Sequence, residues 1–155
     1  MNSKFMKLAR KEAYKGMNNN EGGPFGAIIV QESKVIARAH NRVIKTNDPT
    51  AHAELIAIRK ASKKLNRFNL SDCEIYSTCE PCPMCLAAIH WAKMRKLYYG
   101  CTREDAAKID FDDKFIYDVI REEAKKKQFE YFQMERNECL DLFRAWQRKE
   151  DKIQY

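Results

Sequence analysis

The sequence lacks a hydrophobic run long enough to cross a membrane, since its longest apolar stretch covers only residues 26–30. Its first residues lack the continuous apolar segment and the small-residue cleavage site of a secretory signal. The chain also lacks internal repeats, low-complexity tracts and linkers. These absences predict a cytoplasmic protein without a membrane partner, folded as a single domain over residues 1–155.

A continuous basic strip is also missing, although the formal net charge is +7. The densest basic groups, within 60–67 and at 125–127, are typical of solvated helix ends. Scattered bases neutralise few phosphates together, so the pattern does not favour nucleic acid as a partner. The charge alone nevertheless leaves nucleic-acid binding open.

Cysteine is unevenly distributed. Four of the six cysteines lie within 13 residues, from Cys73 to Cys85, beside a histidine motif. This crowding indicates metal ligands more than a disulfide framework, and reduced thiols agree with a cytoplasmic location. We interpret Cys73, Cys101 and Cys139 as small buried thiols.

Helical and strand patterns alternate along the chain. Helices are predicted over 3–16, 48–65, 83–94, 112–126 and 139–146. Strands are predicted over 27–30, 35–39, 74–78, 96–99 and 130–133, the first two forming a hairpin. The pattern predicts a three-layer α/β/α fold around a five-stranded mixed sheet, mostly parallel after the hairpin.

Two short motifs carry the chemistry, HAE at 52–54 and PCPMC at 81–85, and each is predicted to open a helix. Cysteines three apart share one face of a helical turn, where the positive end of the helix dipole favours thiolate. One histidine nitrogen completes a three-ligand zinc site that keeps its fourth position for water. We therefore predict one zinc ion per chain, bound by His52, Cys82 and Cys85. H-x-E followed by P-C-x-x-C is typical of zinc-dependent nucleobase deaminases.

Glu54 is the predicted acid and base. In such a site it takes a proton from the zinc-bound water, delivers it to a ring nitrogen, and later protonates the departing amine. The alternative is a closed structural zinc site with Cys79 as a fourth ligand, because Cys79, Cys82 and Cys85 are evenly spaced. A closed site would give Glu54 no task.

Several longer segments resemble bacterial guanine deaminases of the cytidine-deaminase fold. They are GPFGA at 23–27, NDPTAHAE at 47–54, CEPCPMC at 79–85, FDDKFIY at 111–117 and the terminal Tyr155. The likeness runs from about Phe5 to the last residue. HAE and PCPMC also occur in tRNA adenosine deaminases and cytosine deaminases, so FDDKFIY and the terminal tyrosine are what favour guanine.

The resemblance implies which residues contact the substrate. The implied purine site consists of Phe25, Asn41, Ala53, Trp91 and Tyr155. Asn41 would hydrogen-bond the purine, Phe25 and Trp91 would flank its ring, and Tyr155 would close the site. Asp113 would lie near the amino group of guanine, whose N1–H and 2-amino group are adjacent donors for a carboxylate. As an alternative, Asp113 is an exposed charge or a helix cap beside Asp112.

The resemblance also implies a homodimer in which the C-terminal segment, about 135–155, crosses to the neighbouring subunit. Composition is equally compatible with an intramolecular core for Phe143 and Trp146. The leading hypothesis is hydrolysis of guanine to xanthine and ammonia. The alternatives are a tRNA adenosine deaminase or cytosine deaminase, and a non-catalytic zinc module that binds nucleic acid. The acidic stretch at 110–113 is unfavourable near a phosphate backbone.

Overall fold

The computed structural model describes residues 3–121 and, beyond them, residues 133, 134, 136, 140 and 143. Two compact units divide the chain, Met1–Tyr117 and Asp118–Tyr155. The helices are α1 (Ser3–Asn18), α2 (Val43–Thr46), α3 (Ala53–Leu65), α4 (Pro83–Trp91), α5 (Arg103–Ala107) and α6 (Lys114–Ile120). The strands are β1 (Gly26–Gln31), β2 (Lys34–His40), β3 (Cys73–Cys79) and β4 (Lys96–Cys101). Within the described residues, no helix has the length and apolar character that a membrane crossing requires.

The described part of the chain forms one mixed sheet of four strands in the order β2-β1-β3-β4. Strand β1 is antiparallel to both of its neighbours, whereas β3 and β4 are parallel. The mixed sheet is as predicted, and the two described strands that follow the hairpin, β3 and β4, pair in parallel as expected. The pairing of β3 with β1, which joins them to the hairpin, is antiparallel. The predicted fifth strand, at 130–133, lies outside the described residues except for 133.

Helices cover both faces of this sheet. Alternate residues of β1 point to opposite sides, so Ala27 and Ile29 belong to one core cluster and Ile28 and Val30 to the other. Helix α1 packs on the second cluster, and α3 and α4 enclose the first. The close approach of α1 requires Gly26, because a Cβ there would collide with the carbonyl oxygen of Ala9. The first unit therefore has the three predicted layers.

The site is positioned by one edge of the sheet. Strands β2, β3 and β4 run in the same direction, so their carboxyl ends share this edge with the start of β1. Helices α3 and α4 begin near the same edge, after β2 and β3 respectively. In open α/β sheets ligands bind outside the carboxyl ends of the strands.

The start of α3 differs from the prediction. Asp48 does not cap this helix, because its Oδ1 accepts hydrogen bonds from the backbone N and the Oγ1 of Thr50, at 2.8 and 2.7 Å. These bonds close a local turn, which competes with helix formation. The helix begins at Ala53 instead, with His52 as its N-cap residue.

Other elements also depart from the predictions. The sequence pattern did not indicate the short helices α2 and α5, the second of which has a capping box between Thr102 and Asp105. Cys73 is buried as expected, but Cys101 is exposed because it ends β4, the outer strand of the described sheet. In the second unit residues 136, 140 and 143 are helical, whereas most of the helix predicted over 139–146, including Cys139, lies outside the described residues.

Candidate metal and active site

Three of the predicted ligand atoms converge at the starts of two helices. His52 is the N-cap residue of α3, Cys82 is the N-cap residue of α4, and Cys85 lies in the first turn of α4. The Nδ1 atom of His52 is 3.6 Å from the Sγ of Cys82 and 3.5 Å from the Sγ of Cys85. All three ligand atoms lie within 4.8 Å of one another. The sequence prediction that they come together is therefore confirmed.

These distances fit zinc. Tetrahedral zinc with Zn–S near 2.3 Å and Zn–N near 2.0 Å separates a nitrogen ligand from a sulfur ligand by about 3.5 Å. The two N–S distances, 3.6 and 3.5 Å, agree with that value. A histidine and two cysteines are also a donor set that suits zinc.

The protonation of the two cysteines favours a cation. Hydrogen bonds from the Cys85 side chain, from His52 and from the Cys85 backbone lower the pKa of Cys82 to about 4. The hydrogen bond to Cys82, together with burial, raises the pKa of Cys85. The hydrogen bond with Cys82 also raises the pKa of His52. A bound metal ion would favour the deprotonated form of both thiols.

Cys79 is not part of this cluster. Its Sγ lies 3.5 Å from the carbonyl oxygen of Thr102, to which it donates a hydrogen bond. Burial raises the pKa of Cys79 to about 12, so it stays a neutral thiol. Within the described residues the candidate metal site has three ligands, which supports the open site over the closed one.

Glu54 is buried in the first turn of α3, two residues after His52. Its Oε1 accepts a hydrogen bond from the Oγ of Ser77 at 2.9 Å. Burial raises the pKa of Glu54, against the hydrogen bonds from its own backbone N–H and from Ser77. The sequence analysis missed Ser77. The sequence did offer a clue. Ser77 is two residues after Ile75 and so lies on the same face of β3, and Ile75 packs in the core beneath α3.

Asn41 has a fixed orientation. Its Oδ1 accepts hydrogen bonds from the backbone N–H groups of Gly23 and Val43, at 3.3 and 3.1 Å. Because its oxygen is used in this way, the NH₂ group is the part of the carboxamide that remains for another partner. Asn41 also donates its backbone N–H to the carbonyl oxygen of Phe25, which places these two predicted site residues side by side. The ring of Phe25 meets Phe111 edge to face, with centroids 4.9 Å apart.

Asp113 lies just before α6. The neighbouring Asp112 makes the side-chain hydrogen bond to the start of α6, because its Oδ1 accepts from the backbone N–H of Lys114 at 2.9 Å. Burial, and then the negative charge of Cys82, raise the pKa of Asp113. The segment is tied to the ligand loop by Tyr117, whose hydroxyl donates to the carbonyl oxygen of Pro81 at 3.2 Å.

The three remaining predicted site residues are Ala53, Trp91 and Tyr155. Ala53 is fully buried as the first residue of α3, whose start receives no side-chain cap from His52. Trp91 ends α4, about 12 Å along the helix from Pro83. Its side chain is 66% exposed. Tyr155 lies outside the described residues.

An open His/Cys/Cys site beside a buried glutamate, at the carboxyl edge of a mixed sheet between helical layers, defines the zinc-dependent deaminase class. Residues 1–101 match the family described as the cytidine and deoxycytidylate deaminase zinc-binding region, and the chain belongs to this family.

Some relatives are similar to this chain over nearly its whole length. The chain is 46% identical to the guanine deaminase of Bacillus subtilis (strain 168) over 151 residues, which are 97% of each chain. It matches the X-ray structure of guanine deaminase from Bacillus subtilis with a TM-score of 0.95, covering 100% of this chain and 99% of the other. The tRNA-specific adenosine deaminase of Buchnera aphidicola subsp. Schizaphis graminum is 37% identical over 140 residues, 90% of this chain and 89% of that protein.

Proposed function

We propose that this chain is a zinc-dependent guanine deaminase, which hydrolyses guanine to xanthine and ammonia. Similarity to the Bacillus subtilis guanine deaminase over almost the whole of both chains carries this proposal. The geometry supports it independently, because an open three-ligand metal site with a buried carboxylate beside it suits hydrolysis.

His52, Cys82 and Cys85 hold one zinc ion per chain in this proposal. Zinc held there would act as a Lewis acid that lowers the pKa of the attacking water. Glu54 moves two protons in turn: it accepts one from the attacking water and gives it to a ring nitrogen of guanine. It then takes the second proton from the newly attached hydroxyl and delivers it to the amino group, so that ammonia leaves as the carbonyl of xanthine forms. The hydrogen bond from Ser77 fixes one carboxylate oxygen of Glu54 and leaves the other for this transfer.

The purine is held by groups at the sheet edge. The Nδ2 of Asn41 donates to a ring acceptor, since its Oδ1 is already bonded to two backbone N–H groups. Phe25, supported by Phe111, packs against the ring, and the start of α3 at Ala53 offers a backbone donor. The Asp113 carboxylate accepts hydrogen bonds from N1–H and the 2-amino group of guanine.

We also propose a homodimer whose C-terminal segment, 135–155, is exchanged so that Tyr155 closes the neighbouring site. Trp91, at the end of α4, would flank the purine ring together with Phe25. A five-stranded sheet, a single domain and a cytoplasmic location remain predictions from the sequence.

The substrate assignment predicts a distinct activity profile. Purified protein is expected to release ammonia from guanine but not from cytosine, guanosine or tRNA. The variant Asp113→Ala should lose at least about 10-fold to 100-fold of guanine turnover, because the two guanine donors would lack their partner. Ammonia release from the four substrates, measured for both proteins under the same conditions, is the test.

Asp112→Ala is the matched control for that experiment. It removes a neighbouring carboxylate whose visible role is to bond the start of α6, so its turnover should stay close to that of the unaltered protein. Deamination of tRNA with guanine untouched would instead assign the chain to the adenosine deaminases. Equal losses in the two variants would contradict the role of Asp113.

The exchange of the C-terminal segment predicts complementation between two impaired chains. One chain carries Glu54→Gln with its full C-terminus, and the other keeps Glu54 but lacks residues 153–155. If Tyr155 acts on the neighbouring subunit, a mixed dimer contains one complete site and regains guanine turnover. Failure of verified mixed dimers to recover would refute the exchange, and full activity of the truncated chain alone would refute the closing role.

A further inference from the structure

The carboxylate of Glu21 joins three basic side chains beside Asn41. Its Oε2 lies 2.9 Å from the Nε2 of His40 and 3.3 Å from the Nε of Arg42, and its Oε1 accepts from the Nζ of Lys45 at 2.8 Å. The Glu21 side chain is only 12% exposed. The other ring nitrogen of His40 lies 3.2 Å from the carboxylate of Glu12 on α1. A part-buried carboxylate with this many partners has a fixed position.

The backbone of Glu21 is fixed as well. Its N–H donates to the carbonyl oxygen of Gly16 at 2.9 Å, and its own carbonyl accepts from the backbone N–H of Lys45 at 3.0 Å. Glu21 therefore links the end of α1 to α2 through both its main chain and its side chain.

The link through Glu21 fixes the positions of the two backbone N–H groups that orient the Asn41 side chain. Gly23 follows Glu21 by two residues and Val43 precedes Lys45 by two, and both donate to the Oδ1 of Asn41. The space is tight, because a Cβ added to Gly22 would collide with the same Oδ1. A shift of the loop at Glu21 would therefore turn or displace the carboxamide.

Glu21 keeps its negative charge at neutral pH. The hydrogen bonds from Lys45 and then His40 lower its pKa to about 2. A permanent carboxylate holds its basic partners more firmly than a neutral group of the same shape. Nothing in the reaction requires Glu21 to change its protonation.

We propose that Glu21 is a positioning residue for substrate binding, which holds the loop before β1 against α2 and thereby aims the Asn41 NH₂ group at the purine. This inference rests on the proposed contact between Asn41 and guanine. Glu21 acts through Asn41 and does not touch the substrate itself.

A double-mutant cycle with Asn41 tests this role. Glu21→Gln keeps the shape but removes the charge, so KM for guanine should rise roughly tenfold while kcat changes by less than about threefold. In an Asn41→Ala background the same substitution should have no further effect, because the group that it positions is gone. Zinc content should be equal in all four proteins.

Control variants separate positioning from general support of the fold. Glu74→Gln removes a carboxylate that pairs with Lys96 near the start of β3, at the opposite end of the sheet, and should leave KM unchanged. Lys45→Gln removes one partner of Glu21 from a half-exposed site, so it serves if Glu21→Gln fails to fold, and it should raise KM by a smaller factor. That increase should also vanish in the Asn41→Ala background.

The outcomes are distinct. Equal losses from Glu21→Gln in both backgrounds would overturn the proposal, because Glu21 would then act independently of Asn41. An unchanged KM in Asn41→Ala would remove the contact on which the inference rests, while leaving guanine deamination itself intact. No guanine turnover in the unaltered protein would mean that the proposed function fails.

Discussion

Glu54→Gln is expected to yield a folded, zinc-loaded protein whose guanine turnover is reduced by about 100-fold to 10,000-fold. Positioned acid and base groups contribute on this scale, which corresponds to about 3 to 5 kcal/mol of activation free energy. The amide keeps the size of the side chain and can still accept the hydrogen bond from Ser77, but it cannot carry a proton. Turnover of guanine and zinc content, measured on the same preparation, provide the test.

Ser77→Ala is the informative companion to that variant. It leaves the Glu54 carboxyl in place but removes the hydroxyl 2.9 Å away, so its loss of turnover should be much smaller than that of Glu54→Gln. More than about a tenth of the original activity in Glu54→Gln would exclude Glu54 as the proton carrier. Loss of zinc in that variant would instead indicate a structural role beside His52.

The metal ligands could be predicted because their arrangement depends on local chain geometry. Cys82 and Cys85 are three residues apart, and Pro83 between them favours a helix start that brings both to one face. His52 lies at a second helix start, after β2, where the strand direction delivers it to the same edge. The motif spacing and the two helix starts were therefore sufficient to predict these ligands, although His52 and Cys82 are 30 residues apart in the sequence.

The supporting contacts could not be predicted in the same way. Ser77 meets Glu54 across 23 residues of sequence, and His40 meets Glu21 across 19. The first contact depends on the pairing of β3 with β1, which the sequence pattern did not indicate. In the second contact His40 lies in the predicted hairpin, but its partner Glu21 lies in the loop before that hairpin. Alternation alone assigns a residue to a face of its strand but does not specify which strand lies beside it.

The start of α3 differs from the prediction because a local turn at Asp48 competes with the helix. Asp48 followed by Pro49 is a typical helix start, yet the Asp48 side chain bonds to Thr50 and closes a turn. The helix is thereby delayed until Ala53, which puts His52 at its N-cap position and Glu54 in its first turn. A helix from Pro49 would have placed His52 inside the helix instead of at its start.

Removal of one zinc ligand should abolish both zinc binding and activity. Cys85→Ser replaces a thiolate by a weaker ligand, so the purified variant should contain little zinc and show no measurable guanine turnover. Cys79→Ser is the matched control: its thiol is also buried but donates to the carbonyl oxygen of Thr102, so zinc content should remain near one ion per chain. Metal analysis of the two variants distinguishes an open site with three protein ligands from a closed site with Cys79 as the fourth. Circular dichroism confirms that both variants are folded. Zinc loss from a folded Cys79→Ser would indicate four protein ligands, and such a site would offer no coordination position to the water that Glu54 deprotonates.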